Sequence, residues 1–296
     1  MDKADLAVFY ALAASLAFAG GSVFFARYSR RISSIWMNTV KALTCGVGLS
    51  LTLAILGIWD PFPNTALYGL LLSGALGLGI GDLFLLGAFS KIGASRSLLI
   101  FGFQPLIMAV AGSVLFQQAL LWNQGLALIF FIFCLVTLSL ERYRLDGHWE
   151  IKGLLFAFIG VLLDNVGVLL TRFSFDLAPD LNPLQANLFR IGGALGVFLV
   201  LSFFIPLQLF KNFASLPVKD RFLAVGASLI GTFVSLSLYL NALKYGHLAI
   251  LSGVVLTGPL FSALIESLIQ KKRPSNYQII AFICLLAGMG LVFAQK

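Results

Sequence analysis

Apolar runs of roughly twenty residues recur along the chain from one end to the other, and this repetition limits its fold more than any other feature. A helix rises about 1.5 Å per residue, so about 20 residues cross the roughly 30 Å of bilayer hydrocarbon. Of the 296 residues, 59% are hydrophobic and only 11% are charged, whereas soluble domains carry about 25% charged residues. A mean hydropathy of +0.98 agrees. The expected class is an all-α polytopic membrane protein without a soluble domain, so length does not translate into a number of soluble domains.

The net charge of +8 raises nucleic acid as a partner. The basic residues are dispersed among short loops, with no basic domain and no basic-aromatic surface, which excludes it. Cys45, Cys134 and Cys284 each fall inside an apolar run without metal-ligand spacing and read as small packing residues. His148 and His247 are too far apart in sequence to suggest a metal site, and no metal or cofactor is expected. The N-terminus imitates a signal peptide, with Ala17 and Ala19 flanking Phe18 like a cleavage site. The preceding MDKAD is acidic, however, and the apolar run continues to Phe25, so a retained first span is expected.

Charge and turn residues divide the apolar runs into ten expected helices, at about 6–26, 35–58, 67–89, 97–116, 122–140, 151–170, 183–204, 222–243, 247–269 and 277–294. The most polar connection, residues 141–150 (ERYRLDGHWE), separates residues 1–141 from 151–296. The two parts repeat one another. FFARYS at 24–29 matches LLTRFS at 169–174, and NTVK at 38–41 matches NLFR at 187–190. LGAFSKIG at 86–93 matches LNALKYG at 240–246 with one gap, and QPL at 104–106 matches GPL at 258–260. Five spans per repeat is an odd number, so the second repeat inserts upside down relative to the first. Inverted repeats are a transporter architecture with the binding site near the midplane.

With these motifs the chain resembles the drug/metabolite transporter superfamily, in particular its EamA-type members, over its whole length. The family pattern has an Ala-containing turn with Gly after the third helix and a Pro in the fourth. Ala88, Gly93 and Pro105 fit it, as do Ala242, Gly246 and Pro259. A basic residue early in the second helix of each repeat is also typical, and Lys41 and Arg190 stand there. The Gly-Glu that often ends the fourth helix is replaced by Gln117-Gln118 and Lys271-Lys272, so whatever that Glu contributes is absent or supplied otherwise.

Charge placement sets an expected orientation. Fourteen Lys and Arg fall in loops after odd-numbered spans and four on the other side. The positive-inside rule puts the fourteen in the cytoplasm and both termini outside. The resemblance implies cytoplasmic termini instead; the charge count is preferred because the bias recurs in nearly every odd loop.

Lys41, Asp82, Asp164 and Arg190 lie well inside expected spans, with Glu266 nearer an end, where it can snorkel. Each would cost about 2.5–3.5 kcal/mol at mid-helix if unpaired. Asp164 and Arg190 lie about 9 and 10 Å from one face, and Lys41 and Asp82 about 9 and 10 Å from the other. Matched depth predicts two buried pairs, Asp164 with Arg190 and Asp82 with Lys41. Such pairs can be static, or a carboxylate can face a cavity and carry substrate or a proton. Asp164 is favoured for the latter because it adjoins Asn165 and lies on a helix that, by the resemblance, lines the cavity; its repeat mate is Ala19. Asn241 completes the set of candidates for substrate binding or coupling. Pro105 and Pro259 are expected to kink cavity-lining helices and to free carbonyls near Phe101 and Val255. Small faces at Ser73, Gly77 and Gly81, and at Gly192 and Gly196, predict close helix approach.

The expected function is secondary active transport by alternating access across the inner membrane, exporting a small metabolite, amino-acid-like compound or drug. The other reading is a lipid or lipid-linked sugar flippase of the same fold. No P-loop and no convergent catalytic constellation occurs, so an enzyme is not expected. The expected partners are a small-molecule substrate, the lipid bilayer, protons and a second copy of the chain.

Overall fold

A computed structural model describes residues 3–93, 97, 100–146, 150–269 and 273–293, and within them every regular element is a helix. Helices α1 (Lys3–Arg31), α2 (Ser34–Leu56), α3 (Asn64–Ile92), α6 (Ile151–Leu177), α7 (Pro183–Phe204) and α9 (Val218–Tyr245) are long and apolar enough to cross a membrane. Between and after them stand α4 (Gln104–Phe116), α5 (Trp122–Asp146), the short α8 (Leu209–Ser215), α10 (Leu248–Val255), α11 (Gly258–Ile269) and α12 (Asn276–Phe293). Local chemistry sets several of these ends. Ser33 accepts from the Trp36 amide to cap α2, and Gly57 ends that helix at φ 64°, a left-handed conformation that glycine tolerates without a Cβ clash. Asn182 caps α7 by accepting from the Leu184 amide, with Pro183 in the first turn, where its missing N–H costs nothing.

The expected spans at 97–116 and 247–269 are not continuous α-helices. In the first, a 3-10 turn over Phe101–Phe103 precedes α4, so Pro105 sits in the first turn of a helix and not at a mid-helix kink. The carbonyl of Phe101, which Pro105 cannot serve, accepts from the Gln104 amide. In the second, the chain turns at Leu256 and Thr257, and Pro259 is the second residue of α11; its side chain and that of Glu266 lie outside the described residues. The carbonyl of Val255 accepts from Ser15 Oγ of α1 at 3.3 Å. Both freed carbonyls thus find donors, as the lipid interior demands.

Two other irregularities had no expectation attached. Helix α3 widens to π geometry over Gly74–Gly81, and α9 does so over Leu229–Val234. Close approach accompanies both. A Cβ on Gly74 would overlap the Arg190 carbonyl of α7, and one on Gly193 would overlap the Leu71 carbonyl of α3. Gly21 of α1 and Gly231 of α9 meet so closely that a Cβ on either would lie 2.7 Å from the other's Cα. The small face of α3 is as expected, Gly77 meeting Gly167 and Asp164 of α6. That of α7 is one residue off. Gly193 makes the contact, Gly196 faces open space, and Gly192 only touches a Leu71 methyl group.

Packing follows from these contacts. Helix α1 lies along α9 and α11, α6 along α3, α2 against α7, α4 against α10 and α5 against α12. The largest apolar cluster joins the α5–α12 pair to α10 and α1, with Phe131 and Cys134 fully buried. A second seals the end of α1 against α2 and α3 around Phe25, Trp36 and Phe89.

Candidate functional site

The helix breaks and the π segments surround one cavity of about 120 Å³. Its wall includes Phe101 and Gln104 at the first break, Val255, Leu256 and Gly258 at the second, Leu78 and Gly81 from one π segment and Gly231 and Thr232 from the other. These segments are also where the backbone departs from regular α-helical hydrogen bonding. Irregular backbone is tolerated at membrane depth where it lines a cavity.

Three of the expected charges reach this cavity: Lys41, Asp82 and Asp164. Lys41 and Asp82 form the expected pair, Nζ to Oδ2 at 2.7 Å, with the lysine side chain 3% exposed and the aspartate 18%. The Lys41 ammonium also stands 5.0 Å from the centre of the Phe25 ring, a second favourable contact for a buried cation. The pair is neutral as a unit and leaves the Asp82 carboxylate at the cavity wall.

The second expected pair does not form. Arg190 donates from Nε to Ser73 Oγ at 3.0 Å, and its Nη1 has no hydrogen-bond partner among the described residues. Ser73 Oγ in turn donates to the Gly167 carbonyl at 2.6 Å and lies 2.7 Å from Thr171 Oγ1. Helix α3 is therefore interposed between α6 and α7 at this level, and the guanidinium meets a hydroxyl of α3 before it reaches the acid on α6. Asp164 accepts instead from Gln104 Nε2 at 3.1 Å. The two charges remain within electrostatic reach of each other without direct contact.

The remaining expected residues divide differently. Asn165 is 2% exposed and does not line the cavity, with neither amide atom bonded among the described residues. Asn187, one turn from Arg190, is in the same condition. Asn241 does not line the cavity, and its Nδ2 donates to the Ser237 carbonyl of its own helix at 2.8 Å. Pro105 shapes the site through Gln104 and does not line it. Residues missed in the sequence are the neutral ones: Ser15, Gln104, Thr232, Ser235 and Tyr239 all line the cavity. Of these, only Gln104 carries a sequence signal, standing in the repeated motif beside Pro105.

Away from the cavity, arginines tie the helix ends. Arg31 meets Asp220 at 2.6 Å and Arg27 meets it at 3.4 Å, while Tyr28 donates to the same carboxylate at 3.0 Å. At the other end, Arg172 Nη1 donates to the Leu243 carbonyl at 2.7 Å and also reaches those of Lys244 and Gly246, covering the open carbonyls at the end of α9.

The profile of the EamA-like transporter family matches residues 5–140 and again residues 149–294. An uncharacterized transporter, YxxF, of Bacillus subtilis (strain 168) is 20% identical over 216 residues, which is 72% of this chain and 66% of that protein. The chain thus spans just under two thirds of that relative's length. A solved crystal structure, described only as that of a protein, superposes with a TM-score of 0.73 at 17% identity, covering 96% of this chain and 95% of that one, and so shares its fold. With its profile matched twice across a chain of long apolar helices, this protein belongs to the EamA-like transporter family of multi-pass membrane proteins.

Proposed function

We propose that the chain is a secondary active transporter that exports a small metabolite or amino-acid-like solute by alternating access, its ten spans forming two inverted five-helix repeats over residues 1–141 and 151–296. The observation that carries this reading is the cavity itself. It lies between π segments on α3 and α9 and between two helix breaks, and it exposes one acid paired to a lysine and one that is not. Inverted repeats put a midplane site at such a junction, and broken helices are a recurrent part of it. The double profile match supports the repeat, and no nucleotide-binding motif offers another source of energy.

The cavity's size favours a small solute. About 120 Å³ is well below the roughly 300–1,000 Å³ of drug-sized sites, and below what a lipid headgroup with its chains would need. Asp164 is the coupling carboxylate of this reading, and Lys41 with Asp82 is a neutral pair lining the same cavity. Purified protein in liposomes, offered a panel of labelled small metabolites with and without a pH gradient, tests the reading. The expected result is solute flux that responds to the gradient in the wild type and not in Asp164→Asn. Full rate and pH response in Asp164→Asn would remove Asp164 from coupling, and lipid translocation without solute flux would replace the transporter reading by a flippase.

The charge count supports placing both termini outside the cell membrane. A C-terminal reporter active only in the cytoplasm should stay silent, and strong signal would reverse the orientation.

A further inference from the structure

We propose that Gln104 and Asp164 together form a proton-binding site in which the glutamine amide serves both protonation states of the acid. This rests on the reading of Asp164 as a coupling carboxylate and adds the residue that would make its charge reversible. Gln104 is 2% exposed, and its Nε2 donates to Asp164 Oδ2 at 3.1 Å. Its own Oε1 is buried without a hydrogen-bond partner among the described residues. Among the described residues Asp164 Oδ1 is likewise unbonded, and the residue lines the cavity.

An ionised carboxylate only accepts hydrogen bonds, whereas a protonated one also offers an O–H. An amide has donors on one end and an acceptor on the other. With Asp164 ionised, Gln104 donates from Nε2 as observed. With Asp164 protonated, a half-turn of the terminal amide brings Oε1 round to accept the acid's O–H. The turn exchanges the observed Nε2–Oδ2 bond for one from the acid's O–H to Oε1, and Oε1 has no other partner to give up among the described residues. A lysine or arginine at this place could only donate and would hold the acid charged.

The surrounding groups leave this role to the amide. The charged and titratable groups near Asp164 are Asp82 of α3, Arg190 of α7, Lys41 of α2 and Tyr239 of α9. Lys41 is taken by Asp82, and Arg190 is turned to Ser73. Among the described residues no cation is in direct contact with Asp164, so none of them fixes its state by an ion pair. The position of Gln104 follows from the sequence around it. Pro105 cannot continue the hydrogen bonding of the preceding turn, so α4 starts at Gln104 and the side chain leaves the helix at its first turn, facing α6.

Infrared difference spectroscopy of the purified protein in lipid, titrated with acid, reads this site without any transported solute. A protonated-carboxyl band should appear in the wild type and vanish in Asp164→Asn. In Gln104→Leu the band should remain and move to higher frequency, because the acid's O–H has lost its acceptor. Gln104→Met should repeat that shift, and Gln104→Lys should abolish the band over the same pH range by holding the acid charged. If no band is lost in Asp164→Asn, Asp164 does not titrate, and the coupling reading itself fails. If the band is present but keeps its frequency in both Gln104→Leu and Gln104→Met, the amide is not its partner, and this proposal alone is overturned.

Discussion

The two halves of the molecule place a base at matching positions, Lys41 and Arg190, and resolve its charge in opposite ways. In the first half Lys41 finds Asp82 on a helix it packs against directly, and a pair closes at 2.7 Å. Asp82 directly follows the π segment of α3; the residue in that place on α9 is Ser235, which donates to the Ala14 carbonyl at 2.9 Å. The second half thus has no acid where the first has one. Arg190 accordingly spends one N–H on Ser73, and Asp164 on α6 is left to an amide. One half holds a self-neutralised pair at the cavity, and the other holds two separated charges, of which Asp164 lines the cavity and Arg190 does not.

The largest expected effect separates the halves by stability. Lys41→Met leaves Asp82 without its cation and should cost about 3–5 kcal/mol, read as a lowered denaturation midpoint of the purified protein. The double change with Asp82→Leu should recover most of it. If the double variant is no better than the single, the pair is not the neutral unit described here.

A smaller effect is expected where the backbones touch. Gly74→Ala must push α3 away from the Arg190 carbonyl and should cost about 1–3 kcal/mol. Gly196→Ala, into open space, should stay within about 0.5 kcal/mol. Equal effects at the two glycines would contradict the α3–α7 contact.

The smallest effect sharpens the comparison most. Arg190→Met removes one hydrogen bond and a buried charge without an acid partner, so it should cost no more than about 1 kcal/mol in the same assay. A loss as large as that of Lys41→Met would mean that Arg190 has an anionic partner after all, and the two halves would be alike.

How far these features can be read in advance varies from residue to residue. The pairing of Lys41 with Asp82 was legible because both charges lie at one depth on helices that pack directly together. Asp164 and Arg190 met the same depth criterion and did not pair. Depth along the membrane normal is one coordinate, and the direction in which each side chain leaves its helix is another, set by the neighbours. Here α3 stands between α6 and α7, held there by the glycine contacts at Gly74 and Gly77. The prolines marked both breaks correctly, since a missing N–H is a covalent fact, but not their form as helix starts. The π segments carried no periodic signal beyond the glycines of residues 74–81. Asn241 is an amide in an apolar span whose own helix supplies an acceptor one turn back, a bond that residue type alone does not reveal.

What the sequence determined by itself was the membrane class, the two prolines at which regular helix gives way and the position of each charge along its apolar run, because hydropathy, proline chemistry and helical rise are local properties. What only the tertiary structure decided was the partner of each charge and the identity of the neutral residues around the cavity. Those depend on which helix lies between which others, and that order is set by close backbone contacts among residues far apart in the chain.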